Sequence, residues 1–275
     1  RSQFEVALSE VLGREVHIGA QQIVWGSTLT LTINDARVAA PAWSKSSNFV
    51  AFNKLQATVK LSALFEQPIR LQSLDISGLT LHLEQLDDGR ASWSFDVRND
   101  EPESSDPSET AGPLLPVLIE QAQLMGTEIS LQIPDAPIRH LRADITQVLH
   151  SDTLTINLSG SLIKTAAAND EQSTAIPLAL TVGATPVKQL IDLGAAELTF
   201  HGQLGKINLN LSADIDDVST LEHVAATVDL SGPSAAKIGA LAGQDGLPDS
   251  PFTVAAAITR AKQKLDIHHS QLTVG

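Results

Sequence analysis

The sequence predicts a mainly β protein with only a few short helices. Many segments place an apolar residue at every second position, the period that puts side chains on one face of a sheet. Glycine-containing turn signals, such as Asp88-Gly89, punctuate these segments. Helical periodicity is confined to short stretches, so little of the chain is available to cover the apolar side. The clearest alternating runs are Leu29-Leu31-Ile33, Leu55-Ala57-Val59-Leu61, Leu79-Leu81-Leu83, Ile129-Leu131-Ile133, Leu154-Ile156-Leu158, Ile207-Leu209-Leu211 and Val224-Ala226-Val228-Leu230.

The charge balance argues against a nucleic-acid partner. The 275 residues carry 18 Lys and Arg against 32 Asp and Glu, for a net charge of -14. Binding a phosphate backbone requires clustered basic residues, and adsorption of the whole segment to an anionic bilayer is disfavoured for the same reason. Cysteine is absent, which excludes disulfides, zinc-thiolate sites and a cysteine nucleophile.

A short amphipathic helix is predicted at the start of the sequence. Ser2 and Glu5 have the spacing of a capping box, and Gly13 is expected to end the helix. We expect the apolar face to pack on the end of the sheet, because a membrane-surface helix usually carries more basic residues. This face consists of Phe4, Leu8, Val11 and Leu12.

A β-hairpin is predicted around Asp88-Gly89. Its first strand contains Leu79, Leu81 and Leu83, and its second strand contains Ala91, Trp93, Phe95 and Val97. The chain then enters residues 99–112, which are acidic, rich in Pro and Ser, and too poor in apolar residues to become ordered. We therefore divide the chain into a β module at 1–98, an acidic disordered loop at 99–112, and a second β region at 113–275.

The second region contains an internal repeat. A strand leads through Thr185-Pro186 into a short helix that ends at Gly194, and two strands follow. The same plan recurs 47 positions later, counted from Pro186 to Pro233, with a helix that ends at Gly243. Each copy has Pro where a first helical turn tolerates it and Gly just beyond the helix. Such units are expected to add side by side.

No arrangement of residues in the sequence indicates catalysis. The Gly-x-Ser-x-Gly pattern of a nucleophile elbow is absent, and the histidines are scattered. The adjacent pair His268 and His269 would point to opposite faces of a strand and could not chelate one metal together. We therefore expect no enzyme activity, no metal and no cofactor.

The partner of the apolar face is the open question at this stage. In a β-sandwich a second sheet covers it, and periodicity alone favours that arrangement. A lipid acyl chain is the alternative partner, because each methylene removed from water contributes about 0.8 kcal/mol. A lipid carrier would need an unbroken apolar surface along a curved sheet.

Several segments resemble the AsmA family in their order and spacing. These are Ala7-Leu8-Ser9-Glu10-Val11-Leu12-Gly13-Arg14-Glu15-Val16, Asp35-Ala36-Arg37-Val38-Ala39-Ala40-Pro41-Ala42-Trp43, Ile76-Ser77-Gly78-Leu79-Thr80-Leu81-His82-Leu83, Asp88-Gly89-Arg90-Ala91-Ser92-Trp93, and the repeat from Leu230-Ser231-Gly232-Pro233 to Leu272-Thr273-Val274-Gly275. Ser92 departs from the pattern, since the family often has Asn before this Trp. The chain begins without Met and without the family's anchor helix, so we expect that an upstream anchor precedes it and that further sequence follows.

The resemblance implies an inner-membrane protein whose bulk lies on the periplasmic side, attached through an N-terminal helix absent from this chain. It implies an elongated, highly curved antiparallel sheet that forms an open apolar groove, as in bridge-like lipid-transfer proteins. We therefore expect a phospholipid-binding and transfer module that contributes to lipid transport between the membranes and to envelope integrity. A structural or chaperone-like factor that assists outer-membrane protein assembly is the alternative.

The expected partners are phospholipid acyl chains and the inner membrane, and the oligomeric state is left open. The candidate lipid-binding residues are those that alternate along the predicted strands: Leu79, Leu81, Leu83, Ile129, Leu131, Ile156, Leu158, Ile207, Leu209, Leu211, Val228, Leu230, Val254 and Ile258.

Overall fold

The protein is mainly β, as the alternation predicts. The computed structural model describes residues 3–65, 68–94, 117–134, 139–164, 174–191, 193–242, 246–261 and 264–275. Within these residues, 16 strands belong to the sheet and the helices are short. The predicted acidic loop 99–112, together with Phe95 and Val97, lies outside the described residues.

The elements follow one another in this order: α1 (Gln3–Leu12), β1 (Val16–Ile18), β2 (Gln21–Trp25), β3 (Thr28–Ala39), β4 (Asn48–Lys60), a 3-10 turn (Leu61–Phe65), β5 (Ile69–Ser77), β6 (Thr80–Glu84), β7 (Val117–Ile119), β8 (Gln121–Gln132), β9 (Arg139–His150), β10 (Thr153–Lys164), β11 (Thr174–Thr185), α2 (Val187–Ile191), β12 (Ala196–Leu204), β13 (Ile207–Ile215), β14 (His223–Gly232), α3 (Ala235–Ala242), β15 (Phe252–Ala261) and β16 (Lys264–Val274).

The chain packs as two compact units. Unit 1 comprises Arg1–Ile145 and Leu162–Ala175, and unit 2 comprises Thr146–Ser161 and Ile176–Gly275. Each unit is described below by itself.

Unit 1 contains a mixed sheet in the order β1-β3-β4-β5-β8, with β2 on β3, β6 on β4 and β8, and β7 on β5. The strands β7 and β8 run parallel to β5, and β8 also runs parallel to β6. We had expected a sheet that is antiparallel throughout, and these parallel pairs show that this part of the prediction was wrong. The physical reason is the long connection from Glu84 to Val117, which is long enough to return the chain for a parallel pairing.

A transverse line that includes three residues with a left-handed backbone conformation crosses unit 1 and is here called the crease. It passes through Gly19, Asp35, Asn53, Gly78 and Gly126, which lie opposite one another on neighbouring strands. Asp35, Gly78 and Gly126 have φ angles of 51°, 65° and 62°, a left-handed conformation that Gly adopts freely and Asp tolerates.

The crease changes the parity of the apolar pattern. The pairing register continues unchanged across it, since Asn34 pairs with Lys54 and Ala36 with Phe52. The apolar residues, however, shift from one parity to the other in each strand. The runs are Leu29, Leu31 and Ile33, then Ala36 and Val38 in β3; Val59, Ala57 and Leu55, then Phe52 and Val50 in β4; Leu74 and Ile76 in β5, then Leu81 and Leu83 in β6; and Ala122 and Leu124, then Ile129 and Leu131 in β8.

The helix α1 ends as predicted, but it faces the sheet with a polar side. Gly13 has a φ of 63° and ends the helix. The Glu5 carboxylate is buried and accepts a hydrogen bond of 2.7 Å from the backbone N–H of Ile18. The Ser9 hydroxyl accepts one of 2.9 Å from that of Val16. Leu8 and Val11 are exposed, so the expectation of an apolar contact was wrong for these two residues, whereas Leu12 is half-buried.

Polar side chains make this contact because the backbone N–H groups of Val16 and Ile18 in β1 have their hydrogen-bond acceptors on the helix. An unsatisfied backbone donor costs about 1–3 kcal/mol, which is comparable to the gain from burying one valine or leucine, and the helix satisfies two such donors. Ser2, the proposed N-cap, lies outside the described residues.

The predicted hairpin at Asp88-Gly89 reduces to a single bridge between Gln85 and Ala91. Ser92 is the cause, because its side chain replaces a strand partner. Its hydroxyl accepts from the Glu84 N–H at 2.9 Å and donates to the His82 carbonyl at 3.2 Å. Ser92 is fully buried, and the chain turns directly after it, so no second strand forms over the described residues 91–94.

Unit 2 contains an antiparallel series β11-β12-β13-β14-β15-β16. Strand–helix–strand–strand occurs twice, as β11-α2-β12-β13 and as β14-α3-β15-β16. Each copy has three strands. Because neighbouring strands are antiparallel, an odd number of strands reverses the direction of the first strand in the next copy. The helices α2 and α3 therefore follow strands that run in opposite directions and lie at opposite ends of the strands.

The glycines of the crease give a matched test of backbone strain. We expect Gly126→Ala to lower the free energy of unfolding by about 1–2 kcal/mol, the cost of a left-handed alanine, because an added Cβ would meet open space. Gly78→Ala should cost about 1–3 kcal/mol more from overpacking, since its Cβ would lie 2.7 Å from Cγ of Asn53. Urea denaturation measures both. Equal costs for the two variants would contradict this account of the crease.

Candidate functional site: the apolar faces of the two units

The apolar side chains of unit 2 lie in rows that cross its strands on one face of the sheet. Residues paired in register point to the same side, so the pairing identifies each row directly. The first row contains Leu180, Leu209, Leu230, Val254 and Leu272; the second contains Val182, Phe200, Leu211, Val228 and Ala256; the third contains Ala184, Leu198, Ala213, Ala226, Ile258 and Ile267. These three rows are called the apolar face of unit 2.

The opposite face of the same strands is polar and hydrogen-bonded across the strands. Gln203 donates to Asn208 at 2.7 Å, and Ser212 and Thr227 share a hydrogen bond of 2.7 Å. Asn210 lies 3.1 Å from the ring nitrogen of His201. These pairs satisfy the polar groups on the solvent-facing side of the strands. The rows on the other side contain no carboxylate and no amide.

The end of the apolar face near α3 is filled by the protein itself. Ile207, Ala235 and Phe252 form a buried cluster, against which Leu230 and Val254 pack. Gly232 lies beside this cluster because there is no room for a side chain, since an added Cβ would lie 2.8 Å from the Phe252 ring. At the other end α2 contacts β12, and Val187, Ala196 and Ile215 are buried.

Between these two ends the apolar face is only half-buried. Val182, Leu209, Leu211 and Val228 each keep part of their surface exposed, whereas Ile207 is 9% and Phe252 5% exposed. On β14 the pattern is regular, with half-buried apolar residues alternating with exposed residues from His223 to Leu230. No described element of unit 2 covers the middle rows to the degree that α3 covers their end.

The predicted residues Ile156 and Leu158 belong to the same face. Between them, Asn157 accepts a hydrogen bond of 2.8 Å from Thr181 on β11. Thr181 is on the polar face, so its neighbours Leu180 and Val182, like Ile156 and Leu158, lie on the apolar one.

Unit 1 has rows of its own. Beyond the crease, Leu81 pairs with Ile129 and Leu83 with Leu131. Leu79 lies opposite Thr127, which is fully buried. On the other side of the crease, the chief row contains Ile33, Leu55, Ile76 and Leu124.

The 14 predicted residues thus fall into one group in unit 1 and one in unit 2, each set out in cross-strand rows. Ile207 differs from the others because it is a core residue under α3. Sequence reasoning missed Leu180, Val182, Leu198 and Phe200, which occupy the centre of the apolar face. The alternation Ile176, Leu178, Leu180, Val182 was a sufficient signal for β11, whereas Phe200 is isolated among polar neighbours.

Three of the segments on which the family resemblance depends meet in unit 1. Leu12-Gly13-Arg14, Trp43 and Asp88-Gly89-Arg90 line one cavity of about 540 Å³. The Arg90 guanidinium lies 5.6 Å from the Trp43 ring centre, and that of Arg14 lies 5.2 Å from the Phe49 ring centre. The first contact joins the loops that contain Trp43 and Arg90, and the second joins the segment after α1 to β4. The Arg14 guanidinium also donates to the Ser94 carbonyl at 2.9 Å.

The titratable groups with shifted pKa values lie in exposed loops. The Arg90 backbone N–H and then its guanidinium lower the pKa of the Asp88 carboxyl. The Ser219 hydroxyl has the same effect on the pKa of Asp217. Both arrangements are local turn contacts. Among the described residues, no group of three or more His, Asp or Glu side chains is placed to hold a metal ion.

The described helices are all too short or too polar to cross a membrane. The fold and its faces therefore define a β-sheet protein with a polar side and a one-sided apolar surface. A sequence model of the AsmA family matches residues 8–174, more than half of the chain, and the chain belongs to this family. The AsmA family is generally associated with the cell envelope and is not known as an enzyme family. No curated protein and no solved structure matches the chain.

Two alanine substitutions distinguish a filled face from an open one. We expect Ile207→Ala to lower the free energy of unfolding by about 2–4 kcal/mol, because it leaves a cavity under α3. Leu211→Ala should cost only about 1 kcal/mol, since its half-buried side chain loses partial burial and opens no enclosed cavity. Chemical denaturation of the purified protein measures both values. A loss at Leu211 as large as that at Ile207 would show that the middle rows are packed like a core.

Proposed function

We propose that the protein is a phospholipid-binding module that contributes to lipid transfer in the cell envelope, on the periplasmic side of the inner membrane. The observation that carries this proposal is the second row of the apolar face of unit 2, which crosses five strands with every member half-buried: Val182, Phe200, Leu211, Val228 and Ala256. Membership in the AsmA family supports the envelope location and is consistent with a role in envelope assembly.

The dimensions of the face suit an acyl chain. Neighbouring strands lie about 4.8 Å apart, so a row over six strands extends about 24 Å. One leaflet of bilayer hydrocarbon is about 15 Å thick. The half-buried second row crosses five strands, about 19 Å, and is therefore longer than one acyl chain.

The chemistry of the face supports movement along it. The three rows contain no charged or amide side chain, so an acyl chain that slides from one strand to the next exchanges one set of methyl contacts for another. Each methylene held out of water contributes about 0.8 kcal/mol at every position along the row. Binding is therefore strong in total and nearly uniform along the path, which is the condition for guided diffusion without a chemical step.

The head group would remain in water beside the strand ends. The polar face cannot receive an acyl chain, because its amides and hydroxyls are hydrogen-bonded in cross-strand pairs. In this function no side chain acts as acid, base or nucleophile. The candidate residues of unit 1, Leu79, Leu81, Leu83, Ile129 and Leu131, would serve a second segment of the same kind.

A charge on the apolar face should abolish lipid binding. Asp in place of Leu211 would put a carboxylate against the acyl chain, and we expect the phospholipid that co-purifies per protein to fall by about tenfold or more, since a difference of about 1.4 kcal/mol suffices for this. Lipid extraction and mass spectrometry of the folded, detergent-free protein measure the ratio.

Asn210→Asp is the matched control, because Asn210 is the neighbouring residue on the polar face and is exposed. It should keep its lipid. Circular dichroism must show a folded sheet in both variants. A wild-type protein without lipid, or equal loss in both variants, would contradict the proposal.

The alternative, a chaperone-like factor for outer-membrane proteins, is favoured by one observation. Among the described strands, β16 pairs only with β15, and its Ile267 and Leu272 are 60% and 70% exposed. An edge of this kind can accept an extended strand of another protein. A photo-crosslinker at Gln271 would then capture protein, whereas one at Leu211 captures lipid if the first proposal holds.

A further inference from the structure

The two ends of the apolar face of unit 2 are not closed over the same strands. At the end next to α2, the buried residues Ala184, Ala196 and Ile215 belong to β11, β12 and β13. At the end next to α3, the buried residues Ile207 and Phe252 belong to β13 and β15. The closed parts of the face are therefore diagonally opposite, and they are called the α2 corner and the α3 corner.

The other two corners of the face are half-buried. Leu178 on β11 pairs with Leu204 on β12 at the strand ends on the α3 side, and both are half-buried. Val224 on β14 and Ile258 on β15 are half-buried at the strand ends on the α2 side. The next residue on this face of β15 is Arg260, which pairs with Val224 and is exposed, so the apolar run of β15 ends here.

The internal repeat explains this arrangement. The helix α2 follows β11, and α3 follows β14, three strands later. Because three is an odd number, the two helices lie at opposite ends of the antiparallel strands, and each lies beside a different corner. The half-buried surface between the closed corners crosses the sheet diagonally, from Leu178 and Leu204 through Leu211 to Val224 and Ile258. This surface is called the diagonal band.

The diagonal band is narrowest on β13, because both closed corners include a part of this strand. Ile207 is buried toward α3 and Ala213 is buried toward α2, and Leu209 and Leu211 are half-buried between them. Neighbouring residues on one face of a strand lie about 7 Å apart. A lipid that moves from one open corner to the other therefore has to pass over Leu209 and Leu211.

We propose that the α2 corner and the α3 corner confine the acyl chain of a bound phospholipid to the diagonal band, which makes Leu178, Leu204 and Val224 lipid-binding residues. The physical reason is that the gain from binding grows with the apolar area newly removed from water. Side chains in the closed corners have little such area left. This inference rests on the proposed function, because it assigns the path of the lipid that unit 2 is proposed to bind.

The length of the diagonal band suits this role. Leu178 and Ile258 are four strands and three rows apart. With about 4.8 Å between strands and about 6.8 Å between rows, the distance between these residues along the sheet is about 28 Å. One leaflet of bilayer hydrocarbon is about 15 Å thick. An acyl chain can therefore lie entirely within the diagonal band and still advance along it.

Photo-crosslinking at matched positions on two strands tests the path. A diazirine-bearing aliphatic amino acid, close in size to leucine, is placed singly at Leu204 or Leu198 on β12, and at Val224 or Leu230 on β14. Delipidated protein is loaded with dioleoyl phosphatidylethanolamine, illuminated, and measured by intact-protein mass spectrometry. Circular dichroism verifies that each labelled protein is folded.

The expected signature is that the preferred end reverses between the two strands. Leu198 pairs with the buried Ala184 and Ala213 in the α2 corner, and Leu230 packs against the cluster under α3. We expect about tenfold more lipid adduct at Leu204 than at Leu198, and about tenfold more at Val224 than at Leu230.

A label at Leu211 separates this inference from the proposed function. Adducts at Leu211 together with equal yields within each pair, or with a preference for the same end on both strands, would overturn the diagonal path alone. Absence of adducts at Leu211 would overturn the proposed function and the path with it. Should a label at Leu198 or Leu230 unfold the chain, the yields at Leu204 and Val224 decide. They should be comparable to the yield at Leu211, and a yield about tenfold lower at either position would overturn the path.

Discussion

The structure depends on the cross-strand register that keeps the apolar side chains of neighbouring strands in common rows. A slip of one residue would move a whole strand's apolar set to the other side. In unit 2 the register continues from β11 to β16, with one irregularity between Ala255 and Ala257. The polar pairs on the opposite face, such as Gln203 with Asn208, reinforce the same register. Hydrogen bonds on one side of the sheet thus maintain the apolar rows on the other.

The crease shows how strongly this constraint acts. In four neighbouring strand paths of unit 1 the apolar pattern changes parity at the same transverse line, and the pairing continues without a shift. Left-handed residues at Asp35, Gly78 and Gly126 make the change compatible with continuous pairing. The Gly126 N–H donates to the Asp144 carboxylate at 2.7 Å, so the donor at this position is satisfied. The backbone is thus strained locally at the crease. Before the crease and after it, each strand has its apolar residues on a single face.

Much of this arrangement could be predicted from the sequence, and the failures have identifiable causes. Alternation located the strands, and Gly13 ended α1 where a left-handed residue was expected. The sandwich alternative could not be decided, because periodicity reports that a face is apolar and says nothing about what covers it.

The hairpin failed because a single buried hydroxyl, that of Ser92, replaced a strand partner. The predicted orientation of α1 was wrong because Glu5 and Ser9 accept hydrogen bonds from backbone N–H groups of β1. Hydrophobic patterning does not predict such contacts. The parallel pairing of β7 and β8 with β5, and of β8 with β6, depends on a long connection. No local sequence signal specifies which strands pair after such a connection.

The central claim is that the middle rows of unit 2 receive acyl chains. Site-directed spin labelling along β13 tests it most directly, since the natural sequence has no cysteine and each label can be placed singly. Labels at positions 208 to 213 would be measured for collision with a water-soluble relaxation agent, before and after phospholipid is added to delipidated protein. The account predicts that accessibility falls at Leu209 and Leu211, stays low at the buried Ala213, and stays constant at the even-numbered positions between them. Equal changes on both parities, or no change on either, would contradict it.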